Sequence, residues 1–289
     1  MNNFLARHSQ NPPIAQPVQA EVVETSSLVA HVLLAPAAPH LAAAPDLQPG
    51  LIAVLGQHRS GTHILARYCK DFFEGSVQPN PDGTSREQGV VKLGDFHLWK
   101  HVVPKERIQI PTSADVPVTV LLTVRDLLPW MQALARGAYE IQRVPRKRRP
   151  RGDLEWMLNE VEIDTSPDYH HDLFPNLRFK SLPALWTAYM QGYLCGDICL
   201  ATSPQRVVIV RHEDIVRRPA EVIIELERLG LRRNSRPFEI IERSVTTQNE
   251  NRVDIMTQDQ AAQRHPTANA ILNMLPERGQ FLRRSLGYN

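Results

Sequence analysis

The chain has 289 residues, 33 of them basic and 31 acidic, and its formal net charge is +2. This length allows a full buried core in one large domain or two smaller ones, and the charge balance does not favour nucleic acid as a partner. The cysteines Cys69, Cys195 and Cys199 fall on predicted helices and form neither a zinc pattern nor a convincing disulfide framework, so a reducing, cytoplasmic location is expected.

Residues 1–48 are predicted to form a mostly disordered leader, in which 27–35 are the best candidates to order against the following domain. Its most apolar part, 28–44, is interrupted by two histidines and two prolines, so we expect no membrane span. No secretory signal is recognised at the start.

Residues 51–73 are predicted to form a strand, a glycine-containing loop and a helix. The apolar run 51–55 is typical of a buried parallel strand, and the apolar residues from Ile64 to Phe72 recur at helical spacing. A loop between a strand and a helix N-terminus presents backbone N–H groups and the positive end of the helix dipole, which together favour an anion.

The spacing of Gly56 and Gly61 is that of a nucleotide-triphosphate loop, but Thr62 and His63 replace the Lys-Ser/Thr pair that should follow. The cation lies within the loop instead, at Arg59. The sequence therefore predicts a phosphate-binding loop of a different kind.

Further strands are predicted after this helix. Residues 89–101 contain two short apolar runs and end in Lys100-His101, and 116–124 form a β-branched run that ends in Arg125. A helix is predicted from Pro129.

A charged helical insertion is predicted at about 140–180. The basic tract 143–151 contains two prolines and reads as an exposed, solvated loop, although it could also hold an acidic acceptor. Behind it, an apolar helical face that includes Val161 is predicted, with Asp153 as N-cap.

The last third of the chain is predicted to add a helix over 181–200, a strand over 206–210 that leads to His212, and a helix from Pro219 to a C-cap at Gly230. A mixed tail follows, with a helical run to Arg243 and a polar loop after it.

Apolar strands that alternate with helices predict an α/β fold, a three-layer sandwich around a central parallel sheet. Ligands bind such sheets at the carboxyl ends of the strands. The loop 57–62, His101, Arg125 and His212 all follow predicted strands, so we expect them at one edge.

Three motifs in order resemble those of sulfotransferases that use 3′-phosphoadenosine 5′-phosphosulfate (PAPS), over about residues 51–231. The loop with Arg59-Ser60-Gly61-Thr62 is similar to the family's 5′-phosphosulfate loop, and the strand ending in Arg125 resembles its 3′-phosphate motif. The strand leading to His212-Glu-Asp resembles the segment near the adenine. Two positions depart from the pattern: Ala133 stands where a serine is expected, and His212 replaces an aromatic residue.

The resemblance implies a P-loop NTPase-like sulfotransferase fold and transfer of a sulfuryl group from PAPS to a hydroxyl or amine, with no metal. It implies Arg59, Lys100 and His101 as catalytic residues. The implied cofactor-binding residues are Gln57, His58, Arg59, Ser60, Gly61, Thr62, His63, Arg125 and His212.

The base that removes the acceptor's proton is expected to be His101, because imidazole titrates near neutral pH. His97 and Asp95 remain alternatives. The acceptor stays open among carbohydrate, peptide and small molecule. Two other functions compete: a nucleotide-dependent kinase on a related loop, and a non-catalytic descendant that binds a nucleotide or a partner.

Overall fold

The computed structural model describes residues 31–33, 50–84, 87–93, 95–104, 108–111, 116–136, 141–143, 158, 160–163, 177–200, 207–243 and 251–288. The strands are β1 (His31–Leu33), β2 (Leu51–Gly56), β3 (Ser76–Gln78), β4 (Val90–Leu93), β5 (Phe96–Trp99), β6 (Ile108–Ile110), β7 (Val118–Val124), β8 (Ile141–Arg143), β9 (Val161–Ile163), β10 (Leu177–Phe179), β11 (Ile198–Leu200) and β12 (Val207–Arg211). The helices are α1 (Thr62–Phe72), α2 (Leu127–Arg136), α3 (Leu182–Leu194), α4 (His212–Arg217), α5 (Pro219–Arg228), α6 (Arg252–Gln263), α7 (Ala268–Asn273) and α8 (Glu277–Ser285).

A five-stranded sheet forms the centre of the fold, in the order β1-β12-β7-β2-β3, and all four strand pairs are parallel. The predicted α/β class with a central parallel sheet is therefore confirmed. Every residue of β7 is buried, as expected for a strand covered on both faces. The strand β1 adds part of the N-terminal segment to the sheet, at residues within the stretch predicted to order.

Two hydrophobic clusters cover the two faces of this sheet. Alternate residues of β2 point to opposite sides, so that Ala53 and Leu55 join one cluster and Ile52 and Val54 join the other. The first cluster includes buried residues of α2, α3, α7 and α8, and the second includes those of α1 and α5. Helices therefore lie on both sides of the sheet, as the sequence predicted.

The predicted start of the helix α3 is confirmed, but its predicted end is wrong. The Ser181 side chain accepts a hydrogen bond from the backbone N–H of Ala184, and a proline lies in the first turn. The helix ends at Leu194 rather than at residue 200. Gly196 adopts a φ of 77°, which a helix cannot continue through. Cys199 lies on β11, so its predicted place on a helix is wrong.

The strands β4 and β5 form an antiparallel hairpin of their own instead of joining the central sheet. The expectation that Lys100-His101 follows a strand of that sheet is therefore wrong. One backbone hydrogen bond connects the residue after this hairpin to the central sheet, from Gly56 N to the Lys100 carbonyl (2.8 Å). A second bond, from Lys100 N to the Gly89 carbonyl (3.0 Å), joins the two ends of the hairpin.

The predicted helical insertion contains a small antiparallel sheet, in the order β10-β9-β8. Val161, which was predicted on a helical face, lies in β9 and is paired with residues of both neighbours. Asp153 and most of the basic tract 143–151 lie outside the described residues, and so do most residues of the leader.

The C-terminal region differs most from expectation. Residues 231–243 contain no helix, whereas 251–288 contain α6, α7 and α8. The N-cap of α6 is a capping box, in which Asn251 and Asp254 exchange side-chain and backbone hydrogen bonds. In the part of the chain that the structure describes, no helix has the length and apolar character needed to traverse a bilayer.

Candidate functional site

The loop between β2 and α1 forms the floor of the site. Gly61 is the N-cap of α1 with a φ of 90°, and no side chain in the described part of the protein caps this helix. The first N–H groups of a helix have no partners within it, so this end is suited to an anion. A Cβ atom at Gly61 would lie 2.7 Å from Nδ1 of His212, and one at Gly56 would lie 2.0 Å from Oγ1 of Thr123. Both positions therefore require glycine.

Ser60 holds the loop in shape from the inside. Its buried hydroxyl donates to the Gln57 carbonyl at 2.6 Å and lies 2.6 Å from the Thr123 hydroxyl on β7. These contacts engage both functions of the Ser60 hydroxyl within the protein. The predicted role of Ser60 as a phosphate ligand stays a prediction, and the structure shows a role in loop geometry.

Arg59 has a φ of 59°, the one left-handed backbone conformation among the described non-glycine residues. A residue with a Cβ atom reaches this conformation at a cost of about 1 kcal/mol or more. Such strain at a turn is typical of sites where the backbone is set for function. The side chain is partly exposed, next to the start of α1.

Arg125 joins the end of β7 to the loop. Its guanidinium Nη1 donates to the Arg59 carbonyl at 3.0 Å, and its backbone N–H donates to Oε1 of Gln57 at 2.6 Å. The Trp186 indole donates to the Arg125 carbonyl at 2.8 Å. The sequence reading placed Arg125 and the loop at one edge of the sheet, and the structure brings them into direct contact.

Asp259, on α6, pairs with the other end of the same guanidinium. Its carboxylate accepts a hydrogen bond from Nη2 of Arg125, and both side chains are buried, each with 4 % of its surface exposed. A buried carboxylate on this arginine was not anticipated. No pattern in the sequence predicts it, because Asp259 lies in the tail, far from the three motifs.

His101 lies against the loop through its ring. Nδ1 is 2.8 Å from the Gly56 carbonyl, a contact that requires Nδ1 to carry the proton, and the ring stacks on His58 at 4.3 Å. Neutral His101 then has its lone pair on Nε2. Burial, then the charges of His58 and Lys100, hold the pKa of His101 well below 6.5, so the ring is neutral near pH 7.

Two buried aromatic residues, Trp130 on α2 and Tyr189 on α3, hold His58 and His101 in place. The Trp130 indole donates to the His58 carbonyl at 2.6 Å. The Tyr189 hydroxyl donates to the His101 carbonyl at 2.8 Å and lies 3.2 Å from Nδ1 of His58. A buried tyrosine or tryptophan needs a partner for its polar atom, which is the one signal in the sequence for these contacts.

Lys100 and His63 form a basic pair at the side of the loop. The Lys100 ammonium donates to Nε2 of His63 at 2.5 Å and to the Gln88 carbonyl at 2.6 Å. Burial, followed by the charges of Lys100 and Arg59, lowers the pKa of His63 to about 3. His63 is therefore neutral and accepts a hydrogen bond from Lys100. Its predicted contact with the cofactor stays a prediction.

His212 is buried at the end of β12, where it packs against Gly61. Neither of its ring nitrogens has a hydrogen-bond partner among the described residues. Burial, then the charge of Arg125, holds the pKa of His212 well below its usual value. The nearby backbone of Ser60 opposes this shift, but its geometry relative to the ring is too poor for a hydrogen bond.

Unsatisfied polar atoms gather around this loop. Buried Nε2 of Gln57, Nε of Arg125 and both ring nitrogens of His212 lack partners in the described part of the chain. Buried polar groups without partners are rare in folded proteins and call for an explanation such as an absent ligand. Three of these four atoms are donors in neutral side chains of Gln57 and His212 and in the Arg125 guanidinium: Nε2 of Gln57, Nε of Arg125 and the protonated nitrogen of His212. An anionic ligand rich in acceptors fits these three atoms.

The residues predicted from the sequence lie at three distances from the loop. Gln57, Ser60, Gly61, Arg125 and His212 contact one another around the loop, His58 and His101 adjoin it, and Lys100 reaches it through His63. Among the described residues, no group of three or more His, Cys, Asp or Glu side chains is arranged to hold a metal ion. Comparison with protein-family models, with curated proteins and with solved structures finds no match for this chain.

Proposed function

We propose that the protein is a sulfotransferase that moves a sulfuryl group from PAPS to a hydroxyl or amine acceptor, within a P-loop NTPase-like fold. The observation that carries this proposal is the bond between Arg125 and the Arg59 carbonyl, which joins the loop motif to the second motif in one site. Two donors of the site, Nε2 of Gln57 and Nε of Arg125, lack partners among the described residues. The proposed location is the cytoplasm, and the acceptor is a carbohydrate, a peptide or a small molecule.

The residues of the loop suit the phosphosulfate half of this donor. PAPS supplies an activated sulfuryl group whose leaving group is a 5′-phosphate. The N–H groups at the start of α1 bind the phosphate oxygens, and the Arg59 cation stabilises the negative charge that develops on the bridging oxygen. The resemblance asks for no metal in this role.

His101 is positioned to accept the acceptor's proton. The Gly56 carbonyl holds the proton on Nδ1, which leaves Nε2 as the basic atom. His101 rather than His97 is joined to the loop, because His97 lies within β5, opposite Lys92 in the hairpin. Burial, then the charge of Lys100, lowers the pKa of His63 and keeps it neutral, and Lys100 adds positive charge beside the loop.

The region of Arg125 fits a 3′-phosphate less well. Asp259 occupies part of the guanidinium, and Ala133, fully buried on α2, offers no hydroxyl. These two departures favour, as a second candidate, a descendant that binds a nucleotide or a partner without catalysis. The kinase alternative has less support, because Thr62 and His63 hold the places of the lysine and hydroxyl that bind the triphosphate and its metal.

The experiment that tests the proposal measures thermal unfolding with adenosine 3′,5′-bisphosphate and, separately, with ATP and magnesium. A ligand that binds only the native state raises the melting temperature. We expect a rise with the bisphosphate and none with ATP–magnesium. A rise with ATP–magnesium alone would favour the kinase, and no rise with either would refute both. Consumption of PAPS then separates the sulfotransferase from the non-catalytic descendant.

A further inference from the structure

The acidic residue Asp259 stands out in a site that is otherwise lined by cations and hydrogen-bond donors. It lies on α6, which packs against α2 and α4, and its carboxylate binds the guanidinium of Arg125. Arg125 has only 3 % of its surface exposed. A phosphate that binds Nη2 of this arginine must therefore take the place of the Asp259 carboxylate.

The rest of the C-terminal segment 251–288 is fastened to the same edge of the sheet. Arg283 makes a bidentate contact with Asp126, with distances of 2.7 and 2.8 Å. The Tyr288 hydroxyl donates to the Glu213 carboxylate at 2.7 Å. Asp126 follows β7 and Glu213 follows β12, so the segment covers the carboxyl ends of two central strands.

The contacts of Arg283 and Tyr288 anchor the end of the chain, whereas the contact of Asp259 involves a residue predicted to bind the nucleotide. Asp126 and Glu213 face inward from the strand ends and anchor α8 and the residues that follow it. Asp259 is the one described residue of this segment whose carboxylate contacts a residue expected to bind the nucleotide. Carboxylate and phosphate compete for the same planar set of guanidinium donors.

We propose that Asp259 is an internal anion that occupies Arg125 in the nucleotide-free protein, and that the 3′-phosphate of the nucleotide displaces it and releases α6. This inference rests on the proposed function for the identity of the nucleotide. Displacement exchanges one charged pair for another, so it lowers the affinity without abolishing it. The exchange also couples occupation of the site to movement of α6.

The direct test compares the wild type with Asp259→Asn by calorimetric titration of adenosine 3′,5′-bisphosphate. Asparagine keeps the shape and one acceptor but loses the charge, and we expect the affinity to rise about tenfold, because hydrogen bonds between charged groups are stronger than neutral ones. Adenosine 5′-monophosphate, which lacks the 3′-phosphate, should bind both proteins equally. The matched control is Asp254→Asn, which removes the same charge from the exposed start of α6 and should leave the affinity unchanged.

A second measurement needs no variant. Hydrogen exchange of the wild-type protein should become faster over 252–263 when the bisphosphate binds, and should not change with adenosine 5′-monophosphate. Equal affinity of the wild type and Asp259→Asn for the bisphosphate, or slower exchange of α6 on binding, would overturn the inference.

Titration with inorganic sulfate separates this inference from the proposed function. If neither protein binds the bisphosphate, the proposed nucleotide is wrong. Thermal unfolding in sulfate then tests whether Asp259 competes with an anion for Arg125. A larger stabilisation of Asp259→Asn than of the wild type by sulfate would support an internal anion at Arg125. Equal stabilisation of both proteins would overturn it.

Discussion

Arg125 donates a hydrogen bond to the backbone carbonyl of Arg59 at 3.0 Å, across the edge of the central sheet. The two arginines come from different strand–helix turns, and each is central to a separate motif in the sequence. The contact uses the carbonyl of Arg59, so the Arg59 side chain extends from a loop whose backbone is fixed. This arrangement leads to predictions for each residue.

Replacement of Arg59 by glycine should remove the leaving-group cation without loss of stability. Glycine accepts the left-handed conformation at this position, whereas alanine would keep the strain. We expect kcat to fall by about 10²–10³-fold. The free energy of unfolding should stay within about 1 kcal/mol of the wild type. Arg59→Lys is the control, since it retains a cation; if Arg59→Gly turns over PAPS at the wild-type rate, Arg59 has no leaving-group role.

Removal of Arg125 alone should destabilise the fold, because it leaves the buried Asp259 carboxylate without its partner. We expect Arg125→Met to lower the free energy of unfolding by about 3–5 kcal/mol. The double variant Arg125→Met/Asp259→Leu should recover most of that loss, as measured by denaturant titration. In nucleotide titrations the double variant should no longer distinguish a 3′-phosphorylated nucleotide from adenosine 5′-phosphosulfate. A double variant as unstable as the single one would contradict the pairing.

His101→Asn should lower the rate with bound PAPS by about 10²–10⁴-fold and leave PAPS affinity almost unchanged. Asparagine can still donate to the Gly56 carbonyl, so loop geometry is retained. Because burial lowers the pKa of His101, the acidic limb of the wild-type rate profile should lie below pH 6.5. His97→Asn is the matched control and should affect stability only. Loss of turnover in that control, with an active His101→Asn, would transfer the role to His97.

Glu213 should make the wild-type protein less stable as the pH rises through the acidic range. Burial, then the nearby charge of Asp126, raises the pKa of Glu213 from 4.5 to about 7. The native state therefore keeps the proton longer than the unfolded chain. The stability contribution is complete below pH 4.5 and is lost as the pH approaches 7.

The comparison of wild type with Glu213→Gln isolates this group. Glutamine can keep both hydrogen bonds, to the Asp126 backbone and to the Tyr288 hydroxyl. From pH 4.5 to 7, the free energy of unfolding should fall by about 3 kcal/mol more in the wild type than in the variant. Parallel pH dependences in urea titrations would show that the pKa of Glu213 is not raised in the folded protein.

The central sheet was predictable because its strands are long apolar runs that end in polar turns. The runs that became β2, β7 and β12 needed no knowledge of distant contacts, and strand polarity then placed Arg125 and His212 beside the loop. The antiparallel pairing of β4 with β5 was not predictable in this way. A short apolar run does not reveal which sheet it joins.

The least predictable part of the site is the C-terminal segment 251–288, which packs over the strand ends. Asp259 lies on a helix with few buried apolar residues, so its hydrophobic pattern is weak. Its pairing with Arg125 depends on how the C-terminal helices pack, which no local signal in the sequence encodes. The same applies to Tyr189, whose place on a helix was predicted but whose hydroxyl contacts require the fold.

The measurement that tests the central claim most directly is release of adenosine 3′,5′-bisphosphate from PAPS in the presence of acceptor panels of carbohydrates, peptides and small hydroxyl or amine compounds. The wild type and Arg59→Gly are assayed side by side at saturating PAPS. The proposed function predicts acceptor-dependent release by the wild type and a rate about 10²–10³-fold lower for Arg59→Gly. Nucleotide binding without acceptor-dependent release in any panel, or equal rates for the two proteins, would contradict it.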